Sequence, residues 1–261
     1  MILVLLLALG VVGQPATVGG DVLFELARPA RAAALAGVDL ALPSWVTNPG
    51  ALGFREGWEI VSGYASPFFV GHFGHVALAG PGLALEAFLF YSGEIAPGLS
   101  FRAEGGAASL GLSLGALGLG VRARLLHLGQ PQGALGAAME LGFLWRGSLR
   151  LGGVVKNVWS QSPFPGEPWP LDLSCALVLP LRLWGFTLYA GAAAQDLLTL
   201  PRYAGALALE AGGLALVASA GTTGLALGGS LAWASFRLEW AFLGHPSLPL
   251  GFRVSLALQW P

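Results

Sequence analysis

Large apolar side chains occupy every second position near the end of the chain: Phe252, Val254, Leu256, Leu258 and Trp260. Polar residues, among them Arg253, lie between them. Because successive side chains of a β-strand point to opposite faces, this pattern predicts a strand with one apolar and one polar face. The same alternation runs through residues 135–145, 169–179 and 236–242.

Alternation of this kind along the whole chain predicts fourteen strands. Twelve is the second choice, because strand limits in the middle of the chain are weakly marked, and both numbers are even, as in bacterial barrels. Residues 53–261 shared among fourteen strands leave about 15 residues each, enough for a spanning strand and a short turn. The predicted strands span residues 57–65, 69–80, 82–91, 100–115, 117–127, 133–145, 148–158, 169–179, 183–194, 202–210, 213–221, 223–233, 235–243 and 250–260.

Charged side chains follow the same register. From residue 117 onward, Glu167, Arg182 and Asp196 fall in predicted turns. The others lie opposite the apolar faces of their strands: Arg122, Arg124, Glu140, Arg146, Arg150, Lys156, Asp172, Arg202, Glu210, Arg237, Glu239 and Arg253. A sheet with one apolar face suits a membrane only if it closes, because an open edge leaves backbone groups unpaired in hydrocarbon. We therefore predict an all-β, transmembrane, antiparallel up-and-down β-barrel over residues 53–261.

Composition agrees with a membrane barrel and excludes other classes. Only 10% of the residues are charged and 55% are hydrophobic, whereas a soluble domain is roughly 25% charged. Thirteen basic against 14 acidic residues leave no positive excess for nucleic-acid phosphates, so no nucleic-acid partner is predicted. Charged residues also interrupt most windows of spanning-helix length, which disfavours a helical bundle. The single cysteine, Cys175, excludes an internal disulfide.

The N-terminus predicts export. Residues 2–12 form an uncharged apolar run, shorter than a spanning helix and typical of a secretory leader. We therefore predict a cleavable signal peptide at 1–16. Residues 17–52 would then form a short periplasmic segment, either a plug in the barrel or a strap on its surface, with a helix at 30–36 and a turn at 48–50.

The last strand ends in Trp260, followed only by Pro261. This ending resembles the terminal signal by which the outer-membrane assembly machinery recognises its clients. We therefore expect that machinery as a partner, outer-membrane lipid as the surroundings, and the outer membrane as the location.

Residues 111–115 read Gly-Leu-Ser-Leu-Gly and match the nucleophile-elbow string, and Asp172 or Asp196 with His245 would complete the order Ser, Asp, His. An elbow needs a helix directly after its serine, whereas the residues that follow here alternate as in a strand. We predict no enzymatic activity; a barrel lipase using Ser113 is the remaining enzymatic alternative.

Two further patterns point to ligands only weakly. Residues 118–123 match the dinucleotide fingerprint but lack its strand–helix–strand setting, so no cofactor is predicted. His72 and His75 are three positions apart, which places them on opposite faces of a strand. No metal site is predicted from them.

Six charged residues are the candidates for lining a lumen or contacting a ligand: Arg122, Arg124, Glu140, Arg237, Glu239 and Arg253. They could select solutes, as rings of charge do in pores. Alternatively, they pair with one another and with backbone groups to fill the barrel. The other inward positions are mostly Gly, Ala and Ser, so a wide hydrophilic porin is not expected.

The region 28–52 joins an Arg-bearing Ala/Gly stretch to an Asn-Pro turn and resembles the N-terminal signature of the FadL/PorV-like (PorV/PorQ-type) outer-membrane barrels. The matching residues are Arg31, Gly37, Asn48, Pro49 and Leu52. Segments at 149–158, 168–180 and 235–242 and the final strand have that family's order and spacing. The family's usual acidic run is missing before the turn, and Gly-Ala replaces Ala-Gly after it.

This resemblance implies a fourteen-stranded barrel with its N-terminal segment at or in the periplasmic mouth. The leading expectation is a FadL-like barrel that passes or holds a hydrophobic small molecule. The alternative is a PorV-like component that binds secreted or surface proteins in type IX-type secretion. Most predicted turns are short, with 161–169 the most loop-like, and short turns favour transport over protein docking.

Overall fold

The computed structural model describes residues 21–66, 71–96, 99–129, 133–163, 169–245 and 250–261. Fourteen antiparallel strands form one closed barrel, in which sequence neighbours pair and β1 pairs with β14. The prediction of a barrel with fourteen strands is confirmed. The strands are β1 Trp58–Ser66, β2 His72–Gly80, β3 Leu83–Ala96, β4 Leu99–Leu114, β5 Leu117–Leu128, β6 Ala134–Arg146, β7 Arg150–Gln161, β8 Asp172–Leu183, β9 Phe186–Gln195, β10 Arg202–Ala211, β11 Leu214–Gly221, β12 Gly224–Trp233, β13 Phe236–Gly244 and β14 Gly251–Trp260.

The two faces of the wall follow the alternation read from the sequence. In β5, Arg122 and Arg124 are buried in the interior, whereas Leu119 and Leu125 are exposed on the outside. Leucine, valine and aromatic side chains cover the outer face of the other strands in the same way. The outer face therefore offers hydrocarbon to lipid, and the charged groups lie inside.

The largest shift of a whole strand from its predicted limits is in β8, while the largest change at one limit is in β3, which was predicted to end at residue 91 and ends at Ala96. Strand β8 was predicted at 169–179 but runs over Asp172–Leu183, so Arg182 lies in the strand and not in a turn. Outward leucines continue the alternation past Pro180, and the turn at 184–185 comes only after them. Trp169, which was predicted to begin the strand, is instead buried in the interior.

The connectors differ between the two ends of the barrel. At the end that carries the start of β1 and the end of β14, each connector has two or three residues: 81–82, 115–116, 147–149, 184–185, 212–213 and 234–235. We call this the turn end. At the opposite end, the loop end, two connectors have two residues and five are longer, up to the stretch 162–171. Outer-membrane barrels typically have short turns on the periplasmic side and longer loops on the external side, and the two ends of this barrel differ in the same way.

Tryptophan side chains mark the turn end. Trp184 and Trp233 lie at short turns and are 98% and 78% exposed. Trp58, Trp145 and Trp260 are also exposed near this end. Amphipathic indole rings settle at the membrane–water interface, so these residues mark the boundary of the apolar band at the turn end.

Residues 21–57, which we call the interior segment, lie inside the barrel. The segment contains the helices α1 (Asp21–Leu26) and α2 (Ala30–Ala34) and 3₁₀ turns at Val38–Ala41 and Pro49–Phe54. No helix in the described part of the chain is both long and apolar enough to cross a membrane. The predicted signal peptide lies outside the described residues.

Three apolar clusters join the interior segment to the wall. α1 packs near Phe73, Phe88 and Trp169. α2 and the first 3₁₀ turn pack on small residues of β7–β13. The stretch around Trp45 and Leu52 packs on β1, β2 and β6. The segment therefore crosses from α1 near the loop end to the start of β1 at the turn end.

Candidate functional site in the barrel interior

The side chain of Asn48 fixes the second 3₁₀ turn to the wall. Its Oδ1 accepts a hydrogen bond from the Gly50 amide at 3.0 Å. Its Nδ2 donates to the carbonyl oxygens of Leu40 at 2.8 Å and Phe143 at 2.7 Å. Asn48 is fully buried, so each of these bonds satisfies a group that water cannot reach. Pro49 follows at the first position of the turn, where its missing amide costs nothing.

The backbone of this turn packs directly on glycines that face inward from the barrel wall. A Cβ added at Gly142 would lie 2.7 Å from Pro49 Cδ, and one at Gly111 would lie 2.8 Å from the Pro49 carbonyl oxygen. Gly118 and Gly120 are equally close to the backbone at 49–50. The wall lacks side chains at these points, which lets the two backbones approach closely. The strings that resemble an elbow and a dinucleotide loop therefore contain packing glycines.

The same arrangement continues along the segment. Gly152 faces the Leu40 carbonyl, Gly191 faces Val38 and Gly228 faces Ala34, and a Cβ at any of the three glycines would collide with its neighbour. Leu52 is fully buried and lies against Gly111. The sequence pattern predicts only a small-residue lining from the inward glycines and does not indicate their contact with the segment.

Helix α2 is capped by side chains of the wall. The Ala30 amide donates to Ser255 Oγ at 2.9 Å, and the Arg31 amide donates to Glu239 Oε2 at 3.2 Å. At the other end, Ser219 Oγ donates to the Ala34 carbonyl at 2.7 Å. A five-residue helix is marginal on its own, and these partners satisfy terminal groups that have no bond within it.

A central cluster joins strands β3, β5, β6 and β7. Arg122 lies 3.4 Å from both Glu86 and Glu140, and Arg124 lies 3.1 Å from Glu140. Arg122 also donates to the Trp45 carbonyl at 2.6 Å, and the Arg124 guanidinium lies 4.5 Å from the centre of the Phe24 ring. This cluster contacts the interior segment as well as the wall.

A turn-end cluster surrounds Glu59. The Glu59 carboxylate accepts from Arg237 at 2.8 Å, from Trp45 Nε1 at 2.9 Å and from Gln259 at 2.7 Å. Arg55 lies 3.2 Å from the same carboxylate. Arg237 also pairs with Glu239 at 2.8 Å, and Arg31 pairs with Glu210.

A loop-end cluster surrounds Glu25 of α1. Its carboxylate lies 2.9 Å from Arg202 and 3.4 Å from Lys156, and Arg28 is farther away at 3.8 Å. Burial by itself raises the pKa of Glu25, but the Arg202, Lys156 and Arg28 charges outweigh burial and hold this pKa well below its usual value. Asp196 pairs with both Lys156 and Arg202.

Arg253 binds the end of α1. Its Nη1 donates to the carbonyl oxygens of Glu25, Leu26 and Arg28 at 3.1, 3.1 and 3.2 Å. Carbonyl groups at a helix C-terminus carry partial negative charge and lack partners within the helix. A buried cation therefore closes this helix end.

All six charged residues singled out from the sequence point into the barrel. Arg122, Arg124, Glu239 and Arg253 contact the interior segment directly. Glu140 and Arg237 pair with charged groups of the wall. The sequence pattern did not identify Glu25 or Glu59 as centres of charge clusters, although Glu59 occupies an inward position in its predicted strand.

The residues that match the N-terminal signature also lie in the interior. Arg31 pairs with Glu210, and Gly37 has a positive φ of 94° directly before the first 3₁₀ turn. A positive φ suits glycine far better than other residues. Asn48, Pro49 and Leu52 form the glycine-packed turn described above.

The arrangements expected of an enzyme or a metal site are not found in the described part of the chain. Ser113 lies near the turn end of β4, whereas Asp172 and His245 lie at the loop end of the barrel. His72 is on the outer face, where Nδ1 lies 2.7 Å from the Tyr64 hydroxyl, and His75 is buried inside. No group of three potential metal ligands occurs among these residues.

Several cavities lie between the interior segment and the described part of the wall. One of about 350 Å³ lies towards the turn end, between the stretch 29–46 and strands β1, β9 and β13. One of about 200 Å³ lies at the loop end, between Glu25 to Ala36 and strands β9–β14. A third, of about 40 Å³, lies beside the central cluster.

Comparison with solved structures identifies the fold. The outer membrane protein Omp33 of Acinetobacter baumannii matches with a TM-score of 0.50 at 9% identity, over 80% of this chain and all of that one. CdiB of the same organism matches with a TM-score of 0.42 at 11% identity, over 78% of this chain and 60% of that one. A porin of Rh. blastica matches with a TM-score of 0.40 at 7% identity, over 78% of this chain and 99% of that one. No protein-family model matches the chain, and no curated protein is significantly similar to it. The chain is thus an outer-membrane-type β-barrel.

Proposed function

We propose that this protein is a non-enzymatic outer-membrane barrel that holds a small hydrophobic molecule beside its interior segment, in the manner of FadL-like transport barrels. The observation that carries the proposal is the turn-end cavity of about 350 Å³. Its size lies in the range of small-molecule sites, about 300–1,000 Å³. Leu35, Leu42, Val46 and Val61 contribute its apolar lining. The same cavity is also lined by four arginines and four carboxylates, whose charges balance: Arg31, Arg55, Arg150, Arg237, Asp39, Glu59, Glu210 and Glu239.

The packing of the interior segment favours holding over free diffusion. The glycine contacts and Asn48 fix the segment against β4–β6, and the charge clusters connect it to the rest of the wall. A hydrated solute would need a continuous aqueous path, whereas an apolar molecule needs only the cavity and a route of entry. Passage through the barrel would require the segment to move.

Filling the cavity tests the proposal. Val61→Phe adds volume at a buried position that lines the cavity, and Val76→Phe adds the same volume on the lipid-facing side of β2. We expect Val61→Phe to weaken binding of the apolar fluorophore N-phenyl-1-naphthylamine by about tenfold or more, equivalent to about 1.4 kcal/mol. Val76→Phe should leave binding unchanged.

Protein in detergent suits this assay, and a gel shift on heating checks that both variants remain folded barrels. Equal fluorophore binding by Val61→Phe and the parent protein would exclude this cavity as the site. A bound fatty acid or hydrocarbon found by mass spectrometry of the purified parent protein would support the proposal directly.

A second candidate function is docking of exported proteins, as in PorV-like shuttles. The observation that favours it is the hairpin of β3 and β4, whose strands of 14 and 16 residues are the longest in the barrel. It extends the wall at the loop end, where a secreted protein would bind. Shortening this hairpin should abolish co-purification of an exported protein and leave fluorophore binding intact, if docking is the function.

A further inference from the structure

The loop-end cavity has a different chemistry from the turn-end cavity. Its volume is about 200 Å³, and the guanidinium groups of Arg28, Arg202 and Arg253 line it together with a single carboxylate, that of Glu25. Gln195, Ser219, Thr223 and His245 add polar lining. Three cations and one carboxylate thus line the same small cavity.

The neighbouring charged groups lie outside the lining of this cavity. Lys156 and Asp196 lie behind the lining and add one charge of each sign. Asp172 is the next carboxylate, and its oxygens accept from the amides of Leu173 and Leu198 and from the Thr199 hydroxyl. Buried Asp39 also lies within the electrostatic field of Arg28. Counting Asp172 and Asp39 gives four cations and four carboxylates, so the excess of two positive charges is confined to the lining of the cavity.

Arg253 carries much of the unmatched charge. It is 9% exposed and has no carboxylate within salt-bridge distance among the described residues. Its Nη1 donates to three carbonyl groups at and just after the end of α1. Among the described residues, no group accepts a hydrogen bond from its Nε or Nη2. The fields of a nearby cation, Arg28, and of the Glu25 carboxylate both act on Arg253. Two guanidinium groups that repel each other beside a cavity favour an anion between them.

From this arrangement we infer that the loop-end cavity is a binding site for a phosphate group. A phosphate offers several oxygens to converging guanidinium forks and carries up to two negative charges, which matches the excess here. A carboxylate offers two oxygens and one charge. The phosphate could belong to inorganic phosphate or a small phosphate ester, or to a lipid headgroup. The turn-end cavity, whose lining has equal numbers of arginines and carboxylates, has no part in this site.

Calorimetric titration of the full-length protein in phosphate-free detergent tests the site. Inorganic phosphate and glycerol phosphate are the soluble probes, a short-chain phosphatidic acid is the lipid probe, and acetate at equal ionic strength is the control anion. We expect saturable binding of phosphate-bearing probes and none of acetate. Binding of the lipid probe alone would identify a headgroup as the source; binding of the soluble probes would identify a free phosphate.

Arg28→Gln is the informative variant, because Arg28 makes only the long contact to Glu25 and its loss leaves the Arg253 bonds to α1 intact. We expect at least a tenfold loss of phosphate affinity. Arg55→Gln, at the turn-end cavity, is the matched control and should retain binding. Fluorophore binding at the turn end should persist in Arg28→Gln, which separates this test from that of the proposed function.

Three results would overturn the inference. One is the absence of binding by any phosphate-bearing probe. Another is equal binding of acetate and phosphate, which indicates a general salt effect. The last is equal loss of affinity in Arg28→Gln and Arg55→Gln.

Discussion

The two ends of the barrel hold the same interior segment by different means. At the turn end, the backbone of the Pro49–Phe54 turn lies directly on wall glycines, and arginines there face carboxylates of β1, β10 and β13. At the loop end, an apolar cluster around α1 is joined by the ion pairs of Glu25, and Arg253 meets backbone carbonyls in place of a carboxylate. The turn end is therefore suited to permanent attachment, whereas the loop end retains positive charge for another group.

The largest effect is expected from Asn48→Ala, which removes the central bonds of the turn-end attachment. The carbonyls of Leu40 and Phe143 would lose a buried donor, at a cost of about 1–3 kcal/mol each. We expect a lower midpoint in heat-modifiability gels and faster proteolysis of the segment. Ser44→Ala is the control, because the Ser44 carbonyl, not its hydroxyl, makes the contacts there. Equal stability of both variants would contradict a fixed turn end.

Gly142→Val tests the close approach of the two backbones. The new Cβ would meet Asn48 Oδ1 at 2.5 Å and Pro49 Cδ at 2.7 Å, so the turn must shift. Overpacking of this kind typically costs about 1–3 kcal/mol. Gly74→Val is the matched control on β2, because no atom lies within 4 Å of its added Cβ. If thermal unfolding shows that both variants lose the same stability, the cost does not come from contact between the strand glycine and the interior segment.

The smallest effect is expected at the loop end, and it depends on pH. Because the pKa of Glu25 is lowered in the folded protein, its contribution to stability is complete above the unfolded value, about 4.3. The contribution is lost as pH falls through the lower folded value. We expect acid to increase proteolysis near α1 in the parent protein, and Glu25→Gln to remove that dependence. The Asn48 turn should respond little over the same pH range.

Strand positions and the inward direction of charges could be predicted from the sequence because both depend on the two-residue period. The error at β8 has a local origin: proline is read as the end of a strand, yet β8 continues past Pro180. Trp169 has the aromatic character of a strand residue, but its ring fills the interior beside Phe24. The alternation does not distinguish an outward aromatic at a strand end from a buried one in a connector.

Partners across the barrel could not be predicted. Arg31 of α2 and Glu210 of β10 are separated by 179 residues, and they meet because the interior segment lies inside the closed barrel. The two-residue alternation shows on which face of a strand a charged side chain lies, but it does not show which other charged side chain is its partner. The glycines that receive the interior segment carry no signal of their own, because a glycine in a strand also serves turns and bulges.

Strand length has a consequence for the surrounding bilayer. β11 has eight residues, and β10 and β12 have ten, whereas β3 to β7 have 12 to 16. At about 3.3 Å per residue and a tilt near 40°, eight residues reach only about 20 Å along the membrane normal, below the usual apolar band of about 25 Å. Lipid beside β11 must therefore thin to match, so the barrel produces a one-sided depression in membrane thickness.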